Sequence, residues 1–338
     1  MAIFGTPITV VDGCTPDNIP QEVLDSTSPL ILKGLVANWP IVHAGKKSVK
    51  QADAYIRQFY NQLPIVAYCG KPEIKGRIFY NEDMSGFNFN SGQYHLDVIL
   101  DNLLECLDNP EPPLFYIGST MVDNWLPGFR KENDLIIGAY NPLVSIWVGN
   151  KNRIPAHYDF PDNIACSVVG RRRFTLFPPE QLQNLYIGPI DLTPSGQPIS
   201  LVDFANPDFE HFPRFQEAIK AAQVAELDAG DAIFIPSMWW HHVESLENYN
   251  VLVNYWWRKT PAWLGNPTDV LYHALMALRD LPVEQRDAWG NLFKHYVFNS
   301  DASAVDHIPE ARRGVLAPLD EQRARNIRMQ LLNRLNRK

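Results

Sequence analysis

His157 and Asp159 stand two residues apart in His157-Tyr158-Asp159. On an extended segment that spacing turns both side chains to one face, so an imidazole and a carboxylate can converge on a single point. A second histidine is offered far downstream, in Trp239-Trp240-His241-His242. Two imidazoles and one carboxylate on one face of an octahedron leave three positions open, the arrangement in which non-heme Fe(II) meets a chelating co-substrate and then dioxygen. Histidines are common in cores, so the His-x-Asp pair alone says little; its downstream context says more. Gly230-Asp231 reads as a turn, Ala232 to Ile235 as a buried strand, Pro236-Ser237 as a second turn, and Trp239-Trp240-His241 as the start of a returning strand. His241 and His242 face opposite sides of an extended chain, so one of the two is the ligand.

The elements that must position these groups are short, rich in Val, Ile, Phe, Tyr and Trp, and separated by Gly, Pro and Asn. The pattern predicts strands over 114–118, 143–149, 163–169, 172–178, 232–236, 239–245 and 250–258, and many short strands with turns between them mean a sandwich or barrel of jelly-roll type. Residues 179–226 interrupt this run as a long insertion with a helix over 214–222. Its aromatic residues Tyr186, Phe204, Phe209, Phe212 and Phe215 predict a packed segment. Upstream, a strand is predicted at Leu30-Ile31-Leu32, a helix over 48–60 with Ser48 as N-cap, strands over 65–69 and 77–80, and a helix over 95–107. After Pro261 the periodicity becomes helical, over 267–280, 283–298 and 319–336.

The expected fold class is therefore mainly β with flanking helices. A double-stranded β-helix of jelly-roll or cupin type occupies 114–260, with the insertion 179–226. An N-terminal mixed α/β flank, 1–113, packs on it, and a C-terminal helical annex follows over 261–338. Those last helices can bury their apolar stripe in the chain's own core or in a homodimer contact, and both readings stay open.

The chain has 338 residues, 46% of them hydrophobic, and a formal charge of −8. That balance disfavours a surface built on phosphate contacts, so no nucleic-acid partner is expected. Cys14, Cys69, Cys106 and Cys166 form no CxxC and no paired spacing, which predicts free thiols rather than a disulfide framework or a zinc ribbon. No apolar run approaches the roughly 18 residues of a membrane span, and the N-terminus lacks a secretory pattern. A cytoplasmic protein without a membrane partner is the expectation.

Together with Asn163, Gly170, Phe177-Pro178-Pro179, Val243-Glu244-Ser245 and Val253-Asn254-Tyr255-Trp256, the His157-Tyr158-Asp159 and Trp239-Trp240-His241-His242 segments resemble the cupin-like JmjC oxygenases. Within that group the chain is most similar to the factor-inhibiting-HIF type of asparaginyl hydroxylase, and the insertion motifs Val202-Asp203-Phe204 and Asn206-Pro207-Asp208-Phe209 share the likeness. It is strong over 114–258, weaker before, and little more than helix content after 261. The resemblance implies Fe(II) and 2-oxoglutarate as cofactors, with His157, Asp159 and His241 as metal ligands and His242 in a supporting role. It further implies that Asn163 and Asn254 bond the co-substrate near its 1-carboxylate, that Tyr116 reaches its distal carboxylate, and that Trp256 walls the pocket. Trp239 and Gly118 are candidates for the substrate side of the pocket, although for Trp239 a place in the barrel wall is the preferred reading.

Two departures bear on the co-substrate. Arg172, inside Arg171-Arg172-Arg173, stands where the family supplies a lysine for the distal carboxylate; alternation sets Arg172 opposite in facing to its neighbours, and its fork can grip a carboxylate with two parallel bonds. Ile154 stands where the family often has a hydroxyl, a loss of about 1 kcal/mol that Arg172 can offset. A third departure touches the substrate: Gly118 replaces an amide side chain that contacts the target residue. The implied activity is hydroxylation of a peptide or protein side chain or of a small amino-acid-like molecule. Its rivals are a cupin-fold metal-binding or regulatory protein without turnover, and a metalloenzyme that needs no 2-oxoglutarate.

Overall fold

The β-branched and aromatic runs pair into two sheets. The computed structural model describes residues 5–336 apart from 139, 195 and 300–303. In chain order its strands are β1 (Thr6–Pro7), β2 (Thr9–Val11), β3 (Leu30–Leu32), β4 (Ile65–Gly70), β5 (Asn90–Tyr94), β6 (Leu114–Met121) and β7 (Leu143–Gly149). There follow β8 (Asn152–Tyr158), β9 (Asp162–Val169), β10 (Arg172–Phe177), β11 (Gln223–Leu227), β12 (Ala232–Ile235), β13 (Trp240–Ser245) and β14 (Asn250–Trp257). One sheet runs β1-β11-β10-β13-β8 and the other β2-β3-β12-β9-β14-β7-β6-β4-β5. Strands β7 to β14 alternate between the two sheets one by one, except that β10 and β11 are neighbours in the smaller, which is the double-stranded β-helix with an N-terminal flank extending its larger sheet.

Alternation explains why the larger sheet is buried on both faces. In β9, Ile164, Cys166 and Val168 join an outer core with Ile56, Leu100 and Phe129 from the helices Val49–Arg57 and Leu96–Glu105 and the turn Phe129–Lys131. Ala165 faces the other way, into an inner core between the sheets with Phe174, Ile233 and Leu252. Each fully buried aliphatic side chain of this kind stabilises by about 1.5–3 kcal/mol. A third cluster sets Phe204 and Phe215 of the insertion against Phe177 and Trp240 on the smaller sheet, so the insertion is packed onto the barrel.

The β9–β10 connection needs a left-handed residue, and Gly170 supplies it at φ +75°; a Cβ there would lie 2.4 Å from Asn250 Oδ1. Asp231, at the start of β12, accepts from Lys33 Nζ at 2.7 Å, Gly34 N at 2.9 Å and Asp228 N at 3.1 Å, which ties the flank to the barrel.

Several segments depart from the periodicity reading. Residues 77–80 form isolated bridges, Arg77 with Arg153 and Tyr80 with Phe87, rather than a strand. The last residues assigned to the insertion are the barrel strand β11, and the stretch before His157 is strand β8 although it contains Pro155. Strand β5 is Asn-Ser-Gly-Gln-Tyr, whose polar composition hid it.

Residues from Lys259 onward form a separate compact unit with helices Pro267–Leu278, Val283–Phe293 and Glu321–Leu335. The second of these runs on into a π-helical turn, Lys294–Phe298. Among the described residues no helix is long and apolar enough to cross a membrane.

Candidate metal centre and co-substrate pocket

His157, one residue before the end of β8, lies directly opposite His241 near the start of β13, so cross-strand register puts the two imidazoles together. Their ring centroids are 4.3 Å apart. His157 Nδ1 lies 2.9 Å from the Pro155 carbonyl oxygen and His241 Nδ1 lies 3.0 Å from that of Trp239. A carbonyl only accepts, so each Nδ1 carries a proton and Nε2 is the ring atom left to ligate. Burial, and then the neighbouring His157, pull the His241 pKa down to about 4 while Asp159 opposes the shift, so the ring is neutral and ready to ligate at neutral pH.

Asp159 lies just past β8, on a loop gripped by the β12–β13 turn. Met238 N donates to the Asp159 carbonyl at 2.9 Å, Ser237 Oγ to that of Phe160 at 2.6 Å, and Ser237 N to Asp162 Oδ1 at 2.9 Å. The Asp159 carboxylate is held in turn: its Oδ2 accepts from Trp256 Nε1 at 3.0 Å and stands 3.6 Å from His241 Nε2. The ligand atoms of His157, Asp159 and His241 all lie within 4.8 Å of one another, close enough to share one ion. His242 turns away, its ring 4.5 Å from that of Phe204, and burial lowers its pKa to about 3. The strand pairing shifts between His241 and Val243.

The triad opens on a cavity of about 330 Å³ between the sheets. At its closed end lies Arg172, 2% exposed, with Nε and Nη2 lacking any hydrogen-bond partner among the described residues. Its neighbours in sequence face outward, Arg171 on Glu247 at 2.8 Å and Arg173 on Glu226 at 2.6 Å and Glu244 at 3.3 Å. Burial lowers the Arg172 pKa to about 10, so it remains a cation at neutral pH. A buried guanidinium with two idle donors is costly, and a carboxylate entering the cavity would relieve it with charge-assisted bonds. Tyr116 lines the same end, and burial pushes its hydroxyl pKa upward, keeping it a donor.

Asn163 and Asn254 meet beside the triad. Asn254 Nδ2 donates to Asn163 Oδ1 at 3.3 Å and Asn254 Oδ1 accepts from Trp147 Nε1 at 2.7 Å, which fixes both amides. Trp256 also walls the cavity, in edge contact with Trp147 at 5.7 Å and 89°. Gly118 lies in the wall, at a shift in the β6–β7 pairing between Ile117 and Thr120. Trp239 is the exception: it lies outside the cavity wall, buried in the inner core, with Nε1 donating to the Thr27 carbonyl at 3.1 Å. Met238, at φ +69°, turns the backbone just before it.

Sequence reasoning missed Trp147, Tyr68 and Ser119, which also line the cavity. Alternation along β7 could have found Trp147, because Ile146 and Val148 belong to the outer core.

Comparison with known proteins matches residues 16–262 to the cupin-like domain family. The chain is 27% identical to tRNA wybutosine-synthesizing protein 5 of Gallus gallus over 314 aligned residues, covering 82% of this chain and 90% of that protein. It is 37% identical over 116 residues to Lysine-specific demethylase JMJ31 of Arabidopsis thaliana, covering 34% of this chain and 21% of that protein. HSPB1-associated protein 1 of Rattus norvegicus is likewise 37% identical, over 114 residues that span 33% of this chain and 23% of that protein.

Proposed function

Because this chain belongs to the cupin-like domain family and faces a His-Asp-His set across a cavity from an unpaired buried arginine, we propose that it is an Fe(II)- and 2-oxoglutarate-dependent dioxygenase. The observation that carries the reading is Arg172. A metal-binding protein without a co-substrate has no use for a buried cation whose donors are empty, whereas a dicarboxylate that chelates the ion at one end needs such an anchor at the other. His157, Asp159 and His241 would hold the iron. Arg172 and Tyr116 would take the distal carboxylate, and Asn163 and Asn254 the end near the metal. Bound there, iron and 2-oxoglutarate supply oxygen activation coupled to decarboxylation, giving succinate and CO2 and placing the second oxygen atom on a substrate C–H bond. The protein's own contribution is to fix the donors, shed water from the cavity and aim the substrate.

For the substrate we favour a peptide or protein side chain, or a small amino-acid-like molecule, in keeping with the likeness to asparaginyl hydroxylases and the overall negative charge. A second reading, in which the oxidised group belongs to a tRNA, is supported by the near full-length similarity to tRNA wybutosine-synthesizing protein 5. Exposed apolar residues on the C-terminal helices, among them Leu271, Met276, Trp289 and Leu292, support a homodimer through that unit.

The test is succinate formation from 2-oxoglutarate by the iron-loaded protein without added substrate. Turnover that disappears in Asp159→Ala is expected. Absence of succinate under every metal loading would overturn the assignment.

A further inference from the structure

The cavity has two ends of different character. Its closed end carries Arg172, and its middle carries Asp159 and the two histidines; among the described residues these are the only charged or titratable lining groups besides Tyr68 and Tyr116. Toward the mouth the wall is formed by half-buried Tyr68, Gly118, Trp147 and Trp256 with exposed Val66 and Ser119, and it carries no charge. On the oxygenase reading, on which this inference rests, Arg172 and the triad are already committed to the dicarboxylate and the ion. A charged substrate group would then lie in the cavity with nothing to pair it, at the cost of its hydration.

The aromatic residues form a continuous wall rather than separate faces around a hole. Successive ring centroids are 6.0 Å apart from Tyr68 to Tyr116, 6.1 Å from Tyr116 to Trp147 and 5.7 Å from Trp147 to Trp256, the last pair meeting at 89°. Contiguous rings give a flat neutral group faces to stack on and edges to meet, whereas an ammonium group would reach the same faces only by giving up its hydration. Gly118 keeps the wall bare where Tyr116 meets Trp147. A Cβ there would sit 3.6 Å from Trp147 Cζ3 and 3.7 Å from Tyr116 Cε1, so any longer side chain would extend from a point already in contact with both rings.

We propose that the part of the substrate entering this cavity is an uncharged aromatic ring, stacked against Trp147 where Gly118 leaves the wall bare. The ring can come from a side chain or from a nucleobase, and the chemistry that recognises it is the same. The test is titration calorimetry on the full-length protein loaded with Zn(II), which supports binding without turnover, with and without 2-oxoglutarate. The probes are N-acetyltryptophanamide, guanosine and the cation N-acetyl-trimethyllysine amide.

Binding of at least one neutral ring is expected, with the cation weaker by about tenfold or more. Gly118→Ala should weaken the ring modestly and Gly118→Leu by about tenfold or more, both variants being checked for an unchanged melting temperature. Which neutral probe binds tells the two sources apart. Stronger binding of the cation, or 2-oxoglutarate binding with no ring binding, overturns the proposal. Ring binding without 2-oxoglutarate binding leaves the proposal standing and removes the oxygenase reading instead.

Discussion

The indole nitrogen of Trp256 donates to Oδ2 of Asp159 at 3.0 Å, and that same oxygen is the one turned toward His241 Nε2. One bond from the last barrel strand therefore fixes the rotation of the carboxylate. Partners of this kind are worth roughly 10- to 100-fold in metal affinity. Trp256→Phe, which keeps the ring and removes the donor, is expected to weaken Mn(II) binding by that factor. Calorimetric titration checks it, and unchanged affinity would mean the bond is incidental.

Replacing Arg172 by Met is expected to separate function from stability. Co-substrate binding should fall by about 30-fold or more, the scale of removing one partner of a buried charge pair. The apo-protein should melt at the same or a higher temperature, since an unpaired buried guanidinium has been removed. Titration of 2-oxoglutarate and a thermal melt on the same sample read both. A large loss of stability would show that Arg172 has partners of its own.

The metal-free protein is expected to be acid-labile. His241 and His242 have folded pKa values lowered to about 4 and about 3, against an ordinary value near 6.5. Between those limits the unfolded chain binds more protons than the folded one. Stability from these groups is thus full above pH ~6.5 and is lost as pH falls toward 4 and then 3, with each histidine contributing up to about 1.4 kcal/mol per pH unit. Urea midpoints measured from pH 7 to pH 4 should decline, and His242→Gln should flatten the decline. A flat profile in the unmodified protein would contradict the burial of the two rings.

Gly170→Ala should destabilise by about 1–3 kcal/mol, through a left-handed φ and the close approach of Asn250 Oδ1. Because Gly170 opens the strand that begins with Arg172, 2-oxoglutarate affinity is expected to fall alongside the melting temperature. A variant with wild-type stability would show that the turn has another accessible conformation.

Much of the barrel was legible because its strands are apolar, alternating and bounded by Gly and Pro. Strand β11 was not, since Gln-Val-Ala-Glu-Leu follows a helix without a break and carries only a weak pattern; strand β8 was obscured by Pro155, tolerated near the margin of the smaller sheet. At the site, period-two spacing was enough to pair His157 with Asp159, and register then joined His241 to them. Trp239 falls outside the cavity because the strand begins only at Trp240, so the period-two facing that carries His241 does not extend back to it across the left-handed Met238. Gly118 was legible as the loss of an amide side chain, but what that loss leaves bare is seen only with Trp147 and Tyr116 beside it.

Strand β1 pairs in parallel with β11, and β2 lies beside β3, which in turn pairs with β12. Strands β1 and β3 thus wait for partners about two hundred positions later in the chain. Until β13 and β14 have emerged, neither the second imidazole nor the indole that steadies Asp159 exists to meet the first, so the centre cannot be assembled on a growing nascent chain. Contacts so distant along the polypeptide make for slow maturation, and for that interval the flank's open strand edges are the part of the newborn protein most in need of shelter.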